Sequence, residues 1–372
     1  MAKERIGILT GGGDCPGLNT VIRGVAKSAI NQYGLEVIGF HDGFLGLIEN
    51  RFTILSDSTV SGILTQGGTI LGSSNVANPF AHVVEEGDEK RKVDVSDQCV
   101  ELYHDLGLSA LICIGGDGTM SCGAEFADKG MNIIGVPKTI DNDLMGTDYT
   151  FGFDSALTTA TEAIDKIHTT ASSHHRVMFI EIMGRNAGWL TLESAIAGGG
   201  DVVLIPEIPY DLDQIVKVVR RRNRFGKKFS IVVVSEGAKP IGGEQTLQRI
   251  VEDSPDPIRL GGCSHVIANQ IEKKSDIECR VTVLGHLQRG GAPTPRDRML
   301  ATRFAVRAVE YFKQGIFNHM VALKGQNLQP VPLTEVMGKQ RLVPTNSPLV
   351  KVALSVGMSF GVDEKELQKN FE

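Results

Sequence analysis

Positive charge and long apolar runs are both scarce in this sequence. The 38 lysines and arginines are outnumbered by 44 aspartates and glutamates, which leaves a formal net charge of −6. This balance argues against a nucleic-acid-binding surface. No apolar segment approaches the roughly 20 residues that a membrane-spanning helix requires, and residues 1–10 lack the apolar core of a secretory signal peptide. We therefore expect a cytoplasmic protein that binds neither nucleic acid nor membrane.

Cysteine patterns that hold metals are absent too. The chain has six cysteines, none of them in a CxxC pair or at a zinc-type spacing from histidine. They are Cys15, Cys99, Cys113, Cys122, Cys263 and Cys279. Cysteines without such partners usually serve in packing, so we expect a reducing compartment.

The two common glycine-rich nucleotide fingerprints are also missing. A short apolar run, residues 5–10, ends in the turn GGGDCPG at residues 11–17. Pro16 stands where the dinucleotide pattern GxGxxG needs its third glycine, and no Lys-Ser or Lys-Thr pair follows Gly17 as a P-loop requires. Because no ribose-binding acid lies at the expected offset either, a dehydrogenase is disfavoured. The turn could also be a plain connection between a strand and a helix.

What the sequence does contain is an alternation of short apolar strands with amphipathic helices. A chain of 372 residues exceeds one compact core of usual size, so we expect two lobes. Repeated strand–helix–strand units predict a mostly parallel sheet with helices on both faces. Between these units, we interpret residues 85–97 as a solvated loop that leads into a helix. Residues 326–348, which hold four prolines, are interpreted as irregular surface chain.

The first of two central motifs is GGDGT at residues 115–119. The apolar run at residues 111–114 precedes it, as a buried parallel strand precedes a tight loop. Glycines let backbone N–H groups approach phosphate oxygens, and the start of the following helix favours negative charge. Asp117 adds a carboxylate for a divalent cation and Thr119 adds a hydroxyl. The motif therefore predicts a nucleotide or pyrophosphate site, although diacylglycerol and NAD kinases share it.

The second central motif is PKTIDND at residues 137–143. The apolar run at residues 133–136 delivers it to the same edge of the sheet. Asp141 and Asp143 lie two residues apart with a hydroxyl and a lysine beside them, which is more than a turn requires. Taken alone the motif could still be only a turn, because Asp and Asn favour loops. The two motifs in this order predict a phosphate site that faces a carboxylate site.

Both motifs, together with TGGGDCPGLN at residues 10–19, MGR at residues 183–185 and GHLQRGG at residues 285–291, closely resemble the 6-phosphofructokinase family. The resemblance covers residues 6–297 and is closest to the bacterial type, in its mixed ATP and pyrophosphate branch. It implies two similar lobes, each a mostly parallel sheet with helices on both faces, with the active site in the cleft between them. It also implies a phosphoryl-donor lobe of residues 1–152 plus about 287–340. A fructose 6-phosphate lobe would comprise residues 153–286 plus about 341–372.

The resemblance further implies the roles of individual residues in phosphoryl transfer to O1 of fructose 6-phosphate, a step of glycolysis. The catalytic set is Asp141 as base with Thr139, Asp143 and Arg185. Mg²⁺ would be held by Asp117. The donor set is Gly12, Asn75, Gly116, Asp117, Gly118, Thr119 and Lys138. The sugar-phosphate set is Thr139, Ile140, Asp141, Arg176, Met183, Gly184, Arg185, Glu236, Arg280, His286, Leu287, Gln288 and Arg289. Without the family, surface charge would be the preferred interpretation of Arg176 and of Arg185, and for Glu236 an exposed loop carboxylate would be as good an interpretation as a functional one.

Two positions bear on the phosphoryl donor, and they disagree. Gly118 is the ATP-like choice, since pyrophosphate-using relatives carry an aspartate there, whereas Lys138 is the pyrophosphate-like choice. An unpaired carboxylate against a phosphate in a dry cleft costs several kcal/mol, while an extra lysine near a triphosphate is tolerable. We therefore predict ATP as donor, with a reversible pyrophosphate-dependent enzyme as the alternative. Asn75, where the family usually has a basic residue, and MGRNAGW at residues 183–189 favour the mixed branch.

A non-catalytic sugar-phosphate or nucleotide sensor is a further alternative, since fold alone does not establish turnover. The intact set of Asp117, Thr139, Asp141 and Asp143 argues against it, because a sensor needs no base beside a metal-binding acid.

The resemblance also bears on assembly and control. It implies a homo-oligomer, most simply a dimer of dimers, in which Arg176 and Arg280 complete the neighbouring site. Arg23 and Lys27 resemble basic residues of the bacterial effector site, but Asp57 and Ser58 replace an expected arginine and tyrosine. We therefore predict a weak or absent response to ADP and phosphoenolpyruvate.

Overall fold

The computed structural model describes residues 3–86, 89–250 and 258–371. The strands are β1 (Arg5–Thr10), β2 (Glu36–Phe40), β3 (Phe52–Leu55), β4 (His82–Glu86), β5 (Glu89–Val93), β6 (Leu108–Gly115), β7 (Ile133–Thr139), β8 (Phe151–Gly152), β9 (Val177–Ile182), β10 (Val202–Leu204), β11 (Ser230–Ser235), β12 (Leu247–Ile250), β13 (Ile258–Leu260), β14 (Cys279–Val283), β15 (His319–Lys324) and β16 (Asn327–Pro332). The helices are α1 (Leu18–Tyr33), α2 (Phe44–Ile48), α3 (Ser96–Asp105), α4 (Asp117–Asp128), α5 (Phe153–His174), α6 (Trp189–Ala197), α7 (Leu212–Arg224), α8 (Cys263–Lys274), α9 (Pro295–Gln314), α10 (Leu333–Val336), α11 (Pro348–Ser355) and α12 (Glu364–Gln368).

The larger sheet has eight strands in the order β16-β15-β7-β6-β1-β2-β3, with β8 paired to β7. Neighbouring strands run parallel except at the two edges, where β16 and β3 are antiparallel to their neighbours. The central strand β6, LSALICIG, is buried almost along its whole length, as a parallel strand covered on both faces must be. One face of the sheet packs on α1 and α9, and the other face packs on α3 and α4.

The smaller sheet has four parallel strands in the order β10-β11-β9-β14. Helices α5 and α6 cover one face, and α7 and α8 cover the other. The prediction of a mostly parallel α/β fold with two lobes is therefore confirmed. The limits of the two lobes along the chain stay a prediction.

Two sequence interpretations were wrong. The charged run at residues 85–97 contributes to an antiparallel hairpin of β4 and β5, although Gly87 and Asp88 lie outside the described residues. The segment at residues 326–348 begins with the edge strand β16 and the short helix α10. Pro330 and Pro332 lie within β16, and an edge strand tolerates proline because one side of it needs no ladder hydrogen bonds.

All six cysteines are free and buried, as expected of packing residues. None of the helices in the described part of the chain combines the length and the apolar character that a membrane crossing requires.

Candidate active site

A cavity of about 870 Å³ lies where the loops at the carboxyl ends of the two sheets meet. Strands β1, β6 and β7 supply one wall, and the loops after β9, β11 and β14 supply the other. This is the position that ligands usually take in open α/β sheets. The sequence-predicted residues that line it are Gly12, Asn75, Gly116, Asp117, Gly118, Thr119, Lys138, Thr139, Ile140, Asp141, Asp143, Met183, Arg185, Glu236, His286 and Arg289.

The glycine turns at the donor end are packed around Thr119. A Cβ atom added at Gly11 or Gly115 would lie 2.5 Å or 2.1 Å from Thr119 Oγ1, so these positions require glycine. Gly12 has a left-handed φ of 75°, which glycine adopts without strain. At Gly118, by contrast, an added Cβ meets nothing within 4 Å. The cavity is therefore open beside Gly118, where a nucleotide has room to extend.

Asp117 is the first residue of α4 and faces the cavity. Its Oδ1 accepts hydrogen bonds from Gly338 N at 2.9 Å and from Ser121 Oγ at 3.5 Å, which orients the carboxylate. Burial raises the pKa of the Asp117 carboxyl, and these hydrogen bonds oppose the rise. Among the described residues, no group of three or more His, Cys, Asp or Glu is placed to hold a metal by itself. Mg²⁺ commonly binds through one or two carboxylates plus substrate phosphates, so a single acid at the phosphate end fits this ion.

Lys138 is 4% exposed, and its Nζ donates a hydrogen bond to the carbonyl oxygen of Gly13. Burial lowers the pKa of the Lys138 ammonium. The side chain thus ties β7 to the glycine turn after β1 and places a cation at the donor end of the cavity.

The loop that carries the two candidate catalytic acids is bent at Asn142, which has a left-handed φ of 51°. Asn142 Oδ1 accepts a hydrogen bond from Thr150 N at 3.1 Å. On the cavity side, Thr139 Oγ1 donates to Asp143 Oδ1 at 3.2 Å and accepts from Asp141 N at 3.1 Å. The turn therefore holds both acids towards the cavity.

Asp141 is the least satisfied acid of this loop. Its Oδ1 is buried and finds no hydrogen-bond partner in the described part of the chain. Burial raises the pKa of Asp141, while the Arg289 guanidinium opposes the rise. Burial and the nearby charge of Asp141 likewise raise the pKa of Asp143. A buried acceptor without a donor is costly unless a ligand supplies one, so Asp141 is suited to receive a hydrogen bond from a substrate.

The opposite wall presents groups that suit a phosphorylated sugar. Met183 and Arg185 follow β9 directly, and Glu236 follows β11. Burial raises the pKa of Glu236 to about 7, although its Oε1 accepts a hydrogen bond from Gly184 N at 3.4 Å. Arg289 reaches across the cavity, since its Nη1 donates to the Asp14 carbonyl at 2.9 Å.

Several predicted residues lie outside this cavity. Arg176 and Arg280 stand at the starts of β9 and β14, where both pair with Glu278. Leu287 is 70% exposed, whereas Gln288 is buried and its Nε2 donates to the Gly285 carbonyl at 3.1 Å. Gly184 touches the site through Glu236. Within one chain, the structure therefore does not bring Arg176, Arg280, Leu287 or Gln288 to the cavity.

Sequence reasoning missed several groups that support the site. Gln245 Nε2 donates to the carbonyls of Arg185 at 2.8 Å and Gly237 at 3.0 Å, and so joins the loops after β9 and β11. These two loops and the loop after β14 are here called the sugar wall. Gly338 and Arg341 reach the acid-bearing stretches from near the carboxyl end of the chain. No local pattern marks these residues, because their partners are distant in sequence.

Comparison with known proteins identifies the family of the chain. The family model described as Phosphofructokinase matches residues 5–312. The "ATP-dependent 6-phosphofructokinase 2" of Clostridium perfringens is 54% identical over 359 residues, which cover 96% of this chain and 98% of that protein. The "Pyrophosphate--fructose 6-phosphate 1-phosphotransferase" of Amycolatopsis mediterranei is 48% identical over 341 residues, 91% of this chain and 96% of that protein.

Among solved structures, the phosphofructokinase of Pichia pastoris in the T-state superposes with a TM-score of 0.78 at 29% identity. The match covers 100% of this chain but 38% of that longer chain.

Proposed function

The chain belongs to the phosphofructokinase family, and we propose that it transfers the γ-phosphoryl group of ATP to O1 of fructose 6-phosphate, forming fructose 1,6-bisphosphate. The reaction is a step of glycolysis, which places the enzyme in the cytoplasm. The observation that carries the proposal is the buried Oδ1 of Asp141, which has no hydrogen-bond partner among the described residues and lines the same cavity as Asp117. A carboxylate that can accept a substrate proton thus shares one cavity with an acid suited to Mg²⁺.

Residues 139–143, here called the acid loop, act on the sugar acceptor. Asp141 accepts the proton of the 1-hydroxyl as that oxygen attacks phosphorus, a role that contributes about 10²- to 10⁴-fold. Thr139 and Asp143 hold the acceptor end beside it, and the guanidinium of Arg185 offsets negative charge on the phosphoryl group. Most of the catalysis is positioning and charge stabilisation, since phosphoryl transfer asks little covalent chemistry of the protein.

The donor side holds the leaving phosphates. Asp117 would bind Mg²⁺, which when bound neutralises charge on the β- and γ-phosphates. The glycine turns and Lys138 lie where they can contact the phosphate chain, and the open space beside Gly118 admits the rest of the nucleotide. On the sugar wall, Glu236 accepts a hydrogen bond from a sugar hydroxyl, and His286 and Arg289 bind the 6-phosphate.

ATP is favoured over pyrophosphate as donor by Gly118 and by the name of the Clostridium perfringens relative. The pyrophosphate alternative remains a second candidate, because Lys138 is buried at the donor end and the Amycolatopsis relative carries that name. The test is a turnover assay on fructose 6-phosphate with Mg·ATP and with pyrophosphate in parallel. We expect fructose 1,6-bisphosphate with ATP at a kcat/KM at least about tenfold above that with pyrophosphate. The reverse ratio would reassign the donor, and no product with either would favour a sensor.

The assembly that we propose is a homo-oligomer, a dimer of dimers, in which Arg176 and Arg280 complete the neighbouring site. Both arginines lie outside the cavity of their own chain and share the Glu278 carboxylate. Sedimentation of the purified protein should therefore give a tetramer. A monomer that binds fructose 6-phosphate normally would contradict this assembly.

A further inference from the structure

The segment at residues 338–343, here called the strap, contacts both stretches that carry the acids of the site, the start of α4 with Asp117 and the acid loop with Asp143. Gly338 N donates to Asp117 Oδ1 at 2.9 Å. Three residues later, Arg341 N donates to the carbonyl of Asp143 at 2.7 Å. The strap thus connects the metal-binding acid to the loop of the catalytic base.

The same strap also reaches the sugar wall. Val343 N donates to Glu207 Oε1 at 2.8 Å, and the same oxygen accepts from Gly188 N at 2.9 Å. Gly188 lies in the loop after β9, which also holds the predicted sugar-phosphate ligand Arg185. The six residues of the strap therefore contact two stretches of the site directly and a third through the Glu207 carboxylate.

Arg341 makes the central contacts of the strap. Its Nε donates to the carbonyl of Asn142 at 3.2 Å, and its guanidinium carbon lies 4.3 Å from the ring centre of Trp189. The carbonyl of Arg341 accepts a hydrogen bond from Trp189 Nε1 at 2.8 Å. Arg341 does not line the cavity, so it acts on the site through its neighbours.

The acid loop needs such support. Asn142 holds a left-handed φ of 51°, a conformation that costs free energy for any residue with a Cβ. Asp141 and Asp143, on either side of it, are both held partly out of water near each other. The contacts of the strap add to the hydrogen bond from Thr150 N to Asn142 Oδ1 in holding this conformation.

We propose that the strap fixes the acid loop, the metal-binding acid and the sugar wall in one frame, and that Arg341 is a positioning residue for phosphoryl transfer. The inference rests on the proposed function. It assigns a role to a stretch of the chain that does not line the cavity.

The first test is Arg341→Met, with Lys339→Met as the matched control. Lys339 carries a positive charge in the same strap, but its side chain is exposed. Small displacements of catalytic groups cost up to about 100-fold in rate, so we expect kcat of Arg341→Met to fall by about 10- to 100-fold. The KM for fructose 6-phosphate should change by less than about threefold, since Val343 and Glu207, through which the strap holds the sugar wall, are unaltered. Lys339→Met should behave as wild type. Folded Arg341→Met with wild-type kcat would overturn the proposal.

The second test asks whether Arg341 acts through the base. If it does, the double variant Arg341→Met with Asp141→Asn should be no slower than Asp141→Asn alone, because the position of an absent base no longer matters. If the fold losses in kcat of the two single variants multiply in the double variant, Arg341 acts independently of Asp141. Arg341→Lys, which restores a cation near the Trp189 ring while the backbone bonds are common to both variants, should recover part of the lost kcat.

The third test needs no turnover. Trp189 is the single tryptophan of the chain, so its emission reports on the strap. Adding Mg²⁺ with a non-hydrolysable ATP analogue should shift wild-type emission through the connection from Asp117 to Arg341, and the shift should be lost in Arg341→Met. If Mg²⁺ with the analogue shifts the emission equally in wild type and in Arg341→Met, the proposed role of the strap is wrong. If wild type lacks phosphofructokinase activity altogether, the proposed function is wrong, but this measurement still tests whether the strap connects Asp117 to Arg341.

Discussion

At the scale of single residues, the site depends on groups whose burial is unfavourable until a ligand arrives. Asp141 Oδ1 is buried and has no hydrogen-bond partner among the residues that the structure describes, and burial raises the pKa of both Asp143 and Glu236. Acids held above their usual pKa at a cavity are typical of functional sites. A substrate hydroxyl that donates a hydrogen bond would supply the missing partner of Asp141.

Replacing Asp141 by Ala should lower kcat by at least about 100-fold, because a positioned base is lost. Binding of fructose 6-phosphate should change much less, since the residues of the sugar wall remain. Steady-state kinetics and direct titration with fructose 6-phosphate measure the two effects separately. Near-normal turnover of the purified variant would show that Asp141 is not the base.

Gly118→Asp tests the choice of donor. The cavity is open at Gly118, so the new carboxylate would occupy space and oppose the charge of the α-phosphate without disturbing the fold. We expect kcat/KM for ATP to fall by about 100-fold, the equivalent of several kcal/mol of repulsion, while pyrophosphate use is kept or raised. Unchanged kcat and KM for ATP in this variant would show that a carboxylate at position 118 does not exclude the nucleotide.

At the scale of elements, buried carboxylates substitute for missing helix caps. Helix α5 begins after Gly152, which has no side chain to act as a cap. Asp297 of α9 fills that role, since its Oδ2 accepts from Ser155 N at 2.8 Å and from Ser155 Oγ at 2.7 Å. Because β8 precedes α5 and pairs with Lys138 and Thr139, this contact also steadies the strand that leads to the acid loop.

Asp297→Ala should therefore destabilise the protein by about 1–3 kcal/mol, because two buried donors lose their acceptor. Asp211→Ala removes an exposed cap of α7, for which about 1 kcal/mol is typical. Denaturant unfolding of both variants gives the comparison. A smaller loss at Asp297 than at Asp211 would mean that the buried carboxylate is not a useful cap.

At the scale of the whole molecule, the buried acids link stability to pH. The pKa of Glu236 is raised to about 7 in the folded protein, so its contribution to stability is fully present below the usual carboxyl pKa of about 4.3 and is lost as the pH rises through 7. The melting temperature of the ligand-free protein should fall between pH 5.5 and pH 8, and the fall should be smaller in Glu236→Gln. Equal slopes for the two proteins would show that Glu236 carries no such linkage.

Control by effectors is the second question at this scale. Lys27, one of the basic residues that resemble an effector site, forms an ion pair with Asp57, and Lys27 is the main cause of the lowered pKa of Asp57. A cation that is already paired attracts an anionic effector less strongly. We therefore expect ADP and phosphoenolpyruvate to shift the KM for fructose 6-phosphate by less than about twofold. A clear shift with either compound would contradict this.

Much of the architecture could be predicted from local pattern. The run 111–114 followed by GGDGT became β6 and the start of α4, because a parallel strand buried on both faces must be apolar along its length and must open into a tight turn. Residues 326–332 were misjudged, since their prolines read as breakers while β16 lies at an edge that tolerates them.

The sequence by itself determined which side chains the two central motifs bring together, because the spacing of Asp117, Thr139, Asp141 and Asp143 is a property of short segments; their roles stay a prediction. Only the tertiary structure decided that Asp141 Oδ1 has no partner in the described part of the chain and that Arg341 contacts the backbone of Asn142 and Asp143. Burial and contacts between distant segments arise when two sheets close on one cavity, and no short stretch of sequence carries that information.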